Sequence, residues 1–134
     1  MRLANSTVPS PSESTLDEPW PIDLRYSKDK KTLIVAFDDG VTHELPAEYL
    51  RVYSPSAEVR GHGADERQIV PGRRYVGIIE IEPVGNYAVR IHFDDLHNTG
   101  LFTWAYLREL GDMRAQWWKQ YLSELETRGL SRCP

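Results

Sequence analysis

GNYAVRIHFDDLHNTGLFTWAYLREL, residues 85–110, decides the fold. It reads as a strand, an acidic turn, a short strand and a helix start. Tyr87, Val89, Ile91 and Phe93 fall on one strand face, with Ala88, Arg90 and His92 on the other, because strand side chains alternate. Asp94-Asp95-Leu96-His97-Asn98 is a turn, since Asp and Asn bond their own backbone there. Thr99-Gly100-Leu101-Phe102 is a short strand, and Thr103 or Trp104 opens a helix.

An earlier stretch carries the same pattern. Phe37-Asp38-Asp39 matches Phe93-Asp94-Asp95 at an offset of 56. Thr42 matches Thr99, and Tyr49-Leu50-Arg51 matches Tyr106-Leu107-Arg108, at an offset of 57. One residue is therefore inserted in the second acidic turn. Each half reads as two antiparallel strands, a short third strand and a helix starting near -YLR-. Such a meander must cover its apolar face, and the helices supply the cover. The expected fold class is α+β, with antiparallel strands in two pseudo-repeated β-β-β-α units and a long C-terminal helix.

Upstream, Ile22 to Tyr26 alternates as a half-buried strand. Thr32–Phe37 is a more continuous apolar strand, Asp38-Asp39-Gly40 a turn and Val41–Leu45 a third strand. Pro46 suits the first turn of a short helix reaching Tyr53. Residues 54–74, rich in Gly, Pro and charge, form a long loop with a strand-like piece at Gln68-Ile69-Val70. Tyr75–Glu82 alternates again, and Gly85-Asn86 forms a positive-φ pair in the next turn. Downstream, Leu107, Leu110, Arg114, Trp117, Tyr121 and Leu125 fall on a helical stripe that Trp118 and Leu122 widen. Gly111 bends or splits that helix, and Gly129 stops it. Trp117 and Trp118 read as packing residues; if the helix is also an oligomer surface, they are its anchors.

Three segments follow: residues 1–19 as a disordered arm too polar to offset its ordering entropy, residues 20–111 as the domain, and residues 112–134 as a helical extension. At 134 residues the chain can bury a real core. Its charge of −4 and pI near 5.5 argue against a nucleic-acid binder. A single cysteine, Cys133, permits no intrachain disulfide and no cysteine-based metal site. No apolar run approaches a membrane span, and the N-terminus lacks a signal-peptide core. A cytoplasmic protein is expected, with no membrane and no nucleic-acid partner.

The residues that could carry chemistry sit in the second acidic turn. Asp94, Asp95 and His97 could serve a divalent metal or acid–base work. His92 and Asp94 have the local spacing of an H-x-D iron site, but alternation points both away from the Phe93 face. The first turn offers its own Asp38, Asp39 and His43. A feature present in both repeats is more simply explained by turn geometry. His62 lies between two glycines in the long loop. No nucleophile elbow, Walker loop or dinucleotide fingerprint occurs.

PVGNYAVRIHFDDLHNTGLFTWAYLREL and the earlier LIVAFDDGVTHELPAEYLRVYSPSAEVRGHG resemble the gamma-butyrobetaine hydroxylase-like N-terminal domain family, a former domain of unknown function. The resemblance runs from about Ile22 to Gly111. It implies one of three contexts. The first is the N-terminal domain of 2-oxoglutarate-dependent dioxygenases. The second is a domain fused to P-loop ATPases that carry iron–sulfur clusters. The third is a stand-alone bacterial protein, which this chain resembles most. The dioxygenase iron site lies in another domain, so hydroxylase activity is not implied. In the dioxygenases this domain carries a zinc site of Cys-x-Cys-x-x-Cys and a later His. Those positions fall on Ser54, Ser56, Val59 and His97. The resemblance thus implies a degenerate zinc site and no bound metal or cofactor. The family's usual Gly in the second turn is Leu96 here.

Two functions are expected. The first is a non-catalytic accessory domain that engages a protein partner, with Asp94, Asp95, His97 and Trp104 as candidate binding residues. Family association links it to iron–sulfur or iron-dependent metabolism. The alternative is a metal-binding or enzymatic domain that uses the Asp94/Asp95/His97 turn.

Overall fold

The computed structural model describes residues 19–55 and 69–134. The elements are β1 Pro21–Tyr26, β2 Thr32–Phe37, β3 Thr42–Pro46, α1 Ala47–Val52, β4 Ile78–Val84, β5 Ala88–Phe93, β6 Leu101–Thr103, α2 Trp104–Asp112 and α3 Arg114–Thr127. Strands β1-β2-β3 form one antiparallel sheet and β4-β5-β6 another. The fold is α+β, built from two β-β-β-α units with α3 appended. Both sheets and all three helices feed one core. Leu24, Val35 and Phe37 of the first sheet meet Ile81, Ile91 and Phe93 of the second, together with Tyr49, Leu107 and Tyr121 of the helices.

The two units hold each other by reciprocal bonds. Tyr49 donates its hydroxyl to the Leu110 carbonyl, and Tyr106 to the Tyr53 carbonyl, each at 2.6 Å. Tyr49 to Tyr106 and Tyr53 to Leu110 are both 57 residues apart, so these are one interaction made twice. Arg51 binds Asp95 at 2.8 Å, while Arg108 binds Asp39 at 2.9 Å. A two-fold interface has this property: residue i meets j, and j meets i. The repeat is therefore structural, and its units are stitched across rather than stacked.

The repeat extends into features that simple alternation misses. A bulge lies between Pro21 and Asp23 in β1, and another between Ile78 and Glu80 in β4. An extra residue at a bulge shifts the strand's alternation. Pro21 and Leu24 are thus buried while Ile22 is exposed, and Ile78 and Ile81 are buried while Ile79 is exposed. Ile22, expected to face inward with Leu24, faces solvent. The strand expected from Tyr75 begins only at Ile78, because Val76 N–H turns back to the Arg73 carbonyl. Tyr87, expected on the buried face, is 53% exposed because β5 starts at Ala88 and Tyr87 remains in the turn.

Other boundaries move by a residue or two. Pro46 ends β3 and caps α1, instead of lying in the helix's first turn. Gly85 takes φ +56, whereas Asn86 does not join it at positive φ. Leu96 adopts φ +71, close to the +88 of its counterpart Gly40, so the turn keeps its shape without glycine. The helix breaks at Met113, two residues past Gly111. Gly111 serves a different need: a Cβ there would overlap the His43 ring. Gly129, at φ +65, does end α3. Leu130 N–H reaches the Leu125 carbonyl and Gly129 N–H the Glu126 carbonyl, the paired bonds of a Schellman stop.

Helix α3 packs on the core through Tyr121 and Leu125. Trp117 stacks on Tyr53 at 5.3 Å, and Trp118 meets Tyr49 edge-on at 6.2 Å. After α3 the chain returns to residues 72–74, where Gly72 N–H and Arg74 N–H donate to the Ser131 and Arg132 carbonyls. Arg132 forks onto the buried Glu48 carboxylate at 2.8 and 2.9 Å. The expected arm lies, but for Pro19, outside the described residues. So do most of the long loop, His62, Gln68, Ser56 and Val59; Ile69 and Val70 pack against the core without forming a strand.

Candidate functional site

The acidic turn is locally determined. Phe93 N–H donates to the His97 carbonyl, and Leu96 N–H to that of Phe93. Asp95 Oδ1 accepts the His97 backbone N–H at 3.2 Å, as Asx side chains do in turns. Its other oxygen, Oδ2, takes the Arg51 Nε–H at 2.8 Å and lies 2.7 Å from Arg73 Nε. Burial opposes ionisation of Asp95. Hydrogen bonds from Arg51 and the His97 N–H, and the charges of Arg51 and Arg73, outweigh it, so the carboxyl sits below its ordinary value. One carboxylate thus serves two guanidiniums, and Arg51 Nη1 is buried with no hydrogen-bond partner among the described residues.

The imidazole of His97 is buried, and its Nε2 lies 2.9 Å from Ser54 Oγ, which is buried as well. Gly100 makes room for this pair: a Cβ there would overlap Ser54 Oγ and touch Pro55. The structure therefore joins two of the positions that the resemblance assigns to zinc. They do not fit the ion. The donors are one imidazole and one neutral hydroxyl at direct hydrogen-bonding distance, and the neighbouring carboxylate is held by arginine. Among the described residues no three His, Cys, Asp or Glu side chains group as metal ligands.

Asp94 is exposed, its backbone N–H donating to the Gly77 carbonyl. With Asp95, Gly72, Arg73, Tyr75, Val76 and Pro134 it lines a shallow cavity of about 220 Å³. His92 does not join it. Its Nε2 lies 2.9 Å from Glu82 on the outer face of β4 and β5, and that hydrogen bond is the chief cause holding Glu82 below its ordinary value. His43 pairs with Asp112 at 2.9 Å. The H-x-D pair is thus divided between a sheet face and a turn.

Trp104, the remaining candidate, belongs to a different place. It opens α2, where Thr103 accepts the Tyr106 N–H as N-cap. Its indole donates to the Asn86 carbonyl at 2.9 Å. Together with Pro19, Trp20, Tyr87, Thr103, Ala105 and Arg108 it lines a largely apolar groove of about 280 Å³. Arg108 is engaged by Asp39 and Asp112 and lies over the Phe37 ring. Trp20 Nε1 is buried with no hydrogen-bond partner among the described residues. The sequence alone assigns Trp20 no role at the start of the domain and turns Tyr87 inward, so it does not reveal this groove. The signal was present in an aromatic residue at each of three turn or helix-start positions. Nothing in one-dimensional spacing brings positions 20, 87 and 104 together.

Two proteins solved in solution by NMR are similar. One is 46% identical, with 85% of this chain and 90% of that chain covered and a TM-score of 0.74. The other is 41% identical, with 89% of each chain covered and a TM-score of 0.75. A crystal structure of a protein of unknown function in the DUF971 family, from Acidithiobacillus ferrooxidans ATCC 23270, is 43% identical. It covers 68% of this chain and 91% of that chain, with a TM-score of 0.57. A search of curated proteins finds no match. The family model described as gamma-butyrobetaine hydroxylase-like, N-terminal, matches residues 24–108, and the chain belongs to that family.

Proposed function

We propose that this chain is a non-catalytic accessory module that binds a protein partner through the Trp20–Tyr87–Trp104 groove. The observation that carries the reading is the largely apolar groove itself, lined by Trp20, Tyr87 and Trp104 and exposed at Tyr87. A partner that seats an apolar side chain there takes the groove's apolar lining out of water. It also covers Tyr87, which is 53% exposed. Aromatic side chains with a polar tip are the usual anchors of such contacts.

The acidic turn supports the same reading by being engaged elsewhere. Asp95 and His97 bind Arg51 and Ser54, so they act in this proposal as scaffold, and Asp94 contributes surface charge. The search for a partner is directed to iron–sulfur or iron-dependent metabolism in the cytoplasm by family association alone. Among the described residues no helix is long and apolar enough to cross a membrane.

Affinity capture at native abundance, followed by calorimetry with the purified partner, tests the proposal. Trp20→Phe shrinks one wall of the groove, and Tyr87→Ala removes exposed ring area. Both are expected to keep the melting midpoint near that of wild type and to weaken binding at least about tenfold. Unchanged affinity in both variants would sink the groove as the binding surface.

A further inference from the structure

We infer that the corner where the family resemblance would set zinc is closed in this chain by a metal-free brace, the Ser54–His97 hydrogen bond backed by the Arg51–Asp95–Arg73 cluster. The first argument is distance. Two nitrogen or oxygen donors on one tetrahedral zinc stand roughly 3.3–3.6 Å apart, given zinc–ligand bonds of about 2.0–2.2 Å. Ser54 Oγ and His97 Nε2 are 2.9 Å apart, a direct hydrogen bond with no place for an ion between them.

The second argument is charge. Among the described residues Asp95 is the one carboxylate paired with Arg51 and Arg73, which sets the charge of two guanidiniums beside the imidazole. A dication would enter against it, without the thiolates that normally neutralise zinc. Positions 56 and 59 hold a hydroxyl and an isopropyl group.

The third argument comes from the other unit. There His43 hydrogen-bonds Asp112 at the exit of α2, as His97 bonds Ser54 beyond the exit of α1. Gly111 lies under the His43 ring as Gly100 lies under Ser54. Ser54 to Gly111 and His43 to Gly100 are both 57 residues apart, so the two corners are built on equivalent positions. In each, an imidazole from one unit ties down the chain leaving the other unit's helix. The fold therefore closes both corners by hydrogen bonding.

The test uses the full chain purified without chelator. Elemental analysis is expected to find only substoichiometric zinc and iron. The melting midpoint is expected to be the same with excess EDTA, with added zinc chloride and with neither. Ser54→Ala and His97→Gln are each expected to lower it by about 4–8 °C, and the double variant by no more than the larger single effect. A midpoint that falls in EDTA, or one zinc per chain lost in His97→Gln, would overturn the inference. Additive losses in the double variant would equally overturn the brace. Should the variants not fold, the metal content and chelator response of the wild-type chain still decide.

Discussion

Leu96 is the residue whose backbone fits it least. It sits at φ +71, is 81% exposed and makes up for the conformation with no burial. An L-residue in the left-handed region costs about 1–2 kcal/mol, while glycine costs about 0.5–1 kcal/mol in unfolded-chain entropy. Leu96→Gly is therefore expected to stabilise by about 0.5–1 kcal/mol, read as a higher urea midpoint at unchanged slope. Asp95 has the opposite character. Its carboxyl is held below the ordinary value in the folded chain despite burial, by Arg51, the His97 N–H and Arg73. The stability this contributes is complete above the unfolded value near 4, and it is lost as pH falls through the folded value. Asp95→Asn is expected to be about 2–3 kcal/mol less stable at neutral pH, because Arg51 stays buried without its carboxylate. Its urea midpoint should fall less than that of wild type as pH drops below about 4. Parallel acid limbs in the two proteins would contradict this assignment.

Among the elements, the α2–α3 junction shows packing overruling local preference. Glycine inside a helix is worse than alanine by about 1 kcal/mol, so Gly111→Ala should stabilise on propensity alone. Here a Cβ at 111 would overlap the His43 ring, which is itself held by Asp112. Overpacking of this kind costs about 1–3 kcal/mol. Gly111→Ala is thus expected to destabilise by up to about 2 kcal/mol net, measurable by thermal melting. The His43→Ala background should reverse the sign. The same junction shows what could be read in advance. Helical periodicity located the apolar stripe and the stop at Gly129. The break was expected at Gly111, since glycine was the only visible reason for one. The close approach of His43, from a strand 68 residues earlier, supplies the reason that spacing could not.

At the scale of the molecule, reciprocal bonding makes each unit incomplete alone. The Arg51–Asp95 and Arg108–Asp39 pairs and both tyrosine–carbonyl bonds cross between units, and the core is shared. Unfolding is therefore expected as a single transition, with tryptophan fluorescence and far-UV circular dichroism coinciding. Tyr49→Phe removes one cross-tie and is expected to cost about 1–2 kcal/mol. Amide exchange in β2 and β5 should accelerate together in that variant. Loss of protection in one sheet alone would show that the units unfold separately.

The sequence by itself determined the class of fold, the order of its elements and the duplication. Strand alternation, turn residues and helical spacing are local, and both copies of Phe-Asp-Asp and Tyr-Leu-Arg carry them. The bulges that turned Ile22 and Ile79 outward were not legible, because a bulge is a property of the strand pair. His97 and Ser54 could be flagged from the family pattern, but only the fold showed them at 2.9 Å. The partners of Arg51 and Arg108, and the meeting of Trp20, Tyr87 and Trp104, were likewise settled in three dimensions. Each depends on how one unit lies against the other, and contacts between residues tens of positions apart leave no period in the chain.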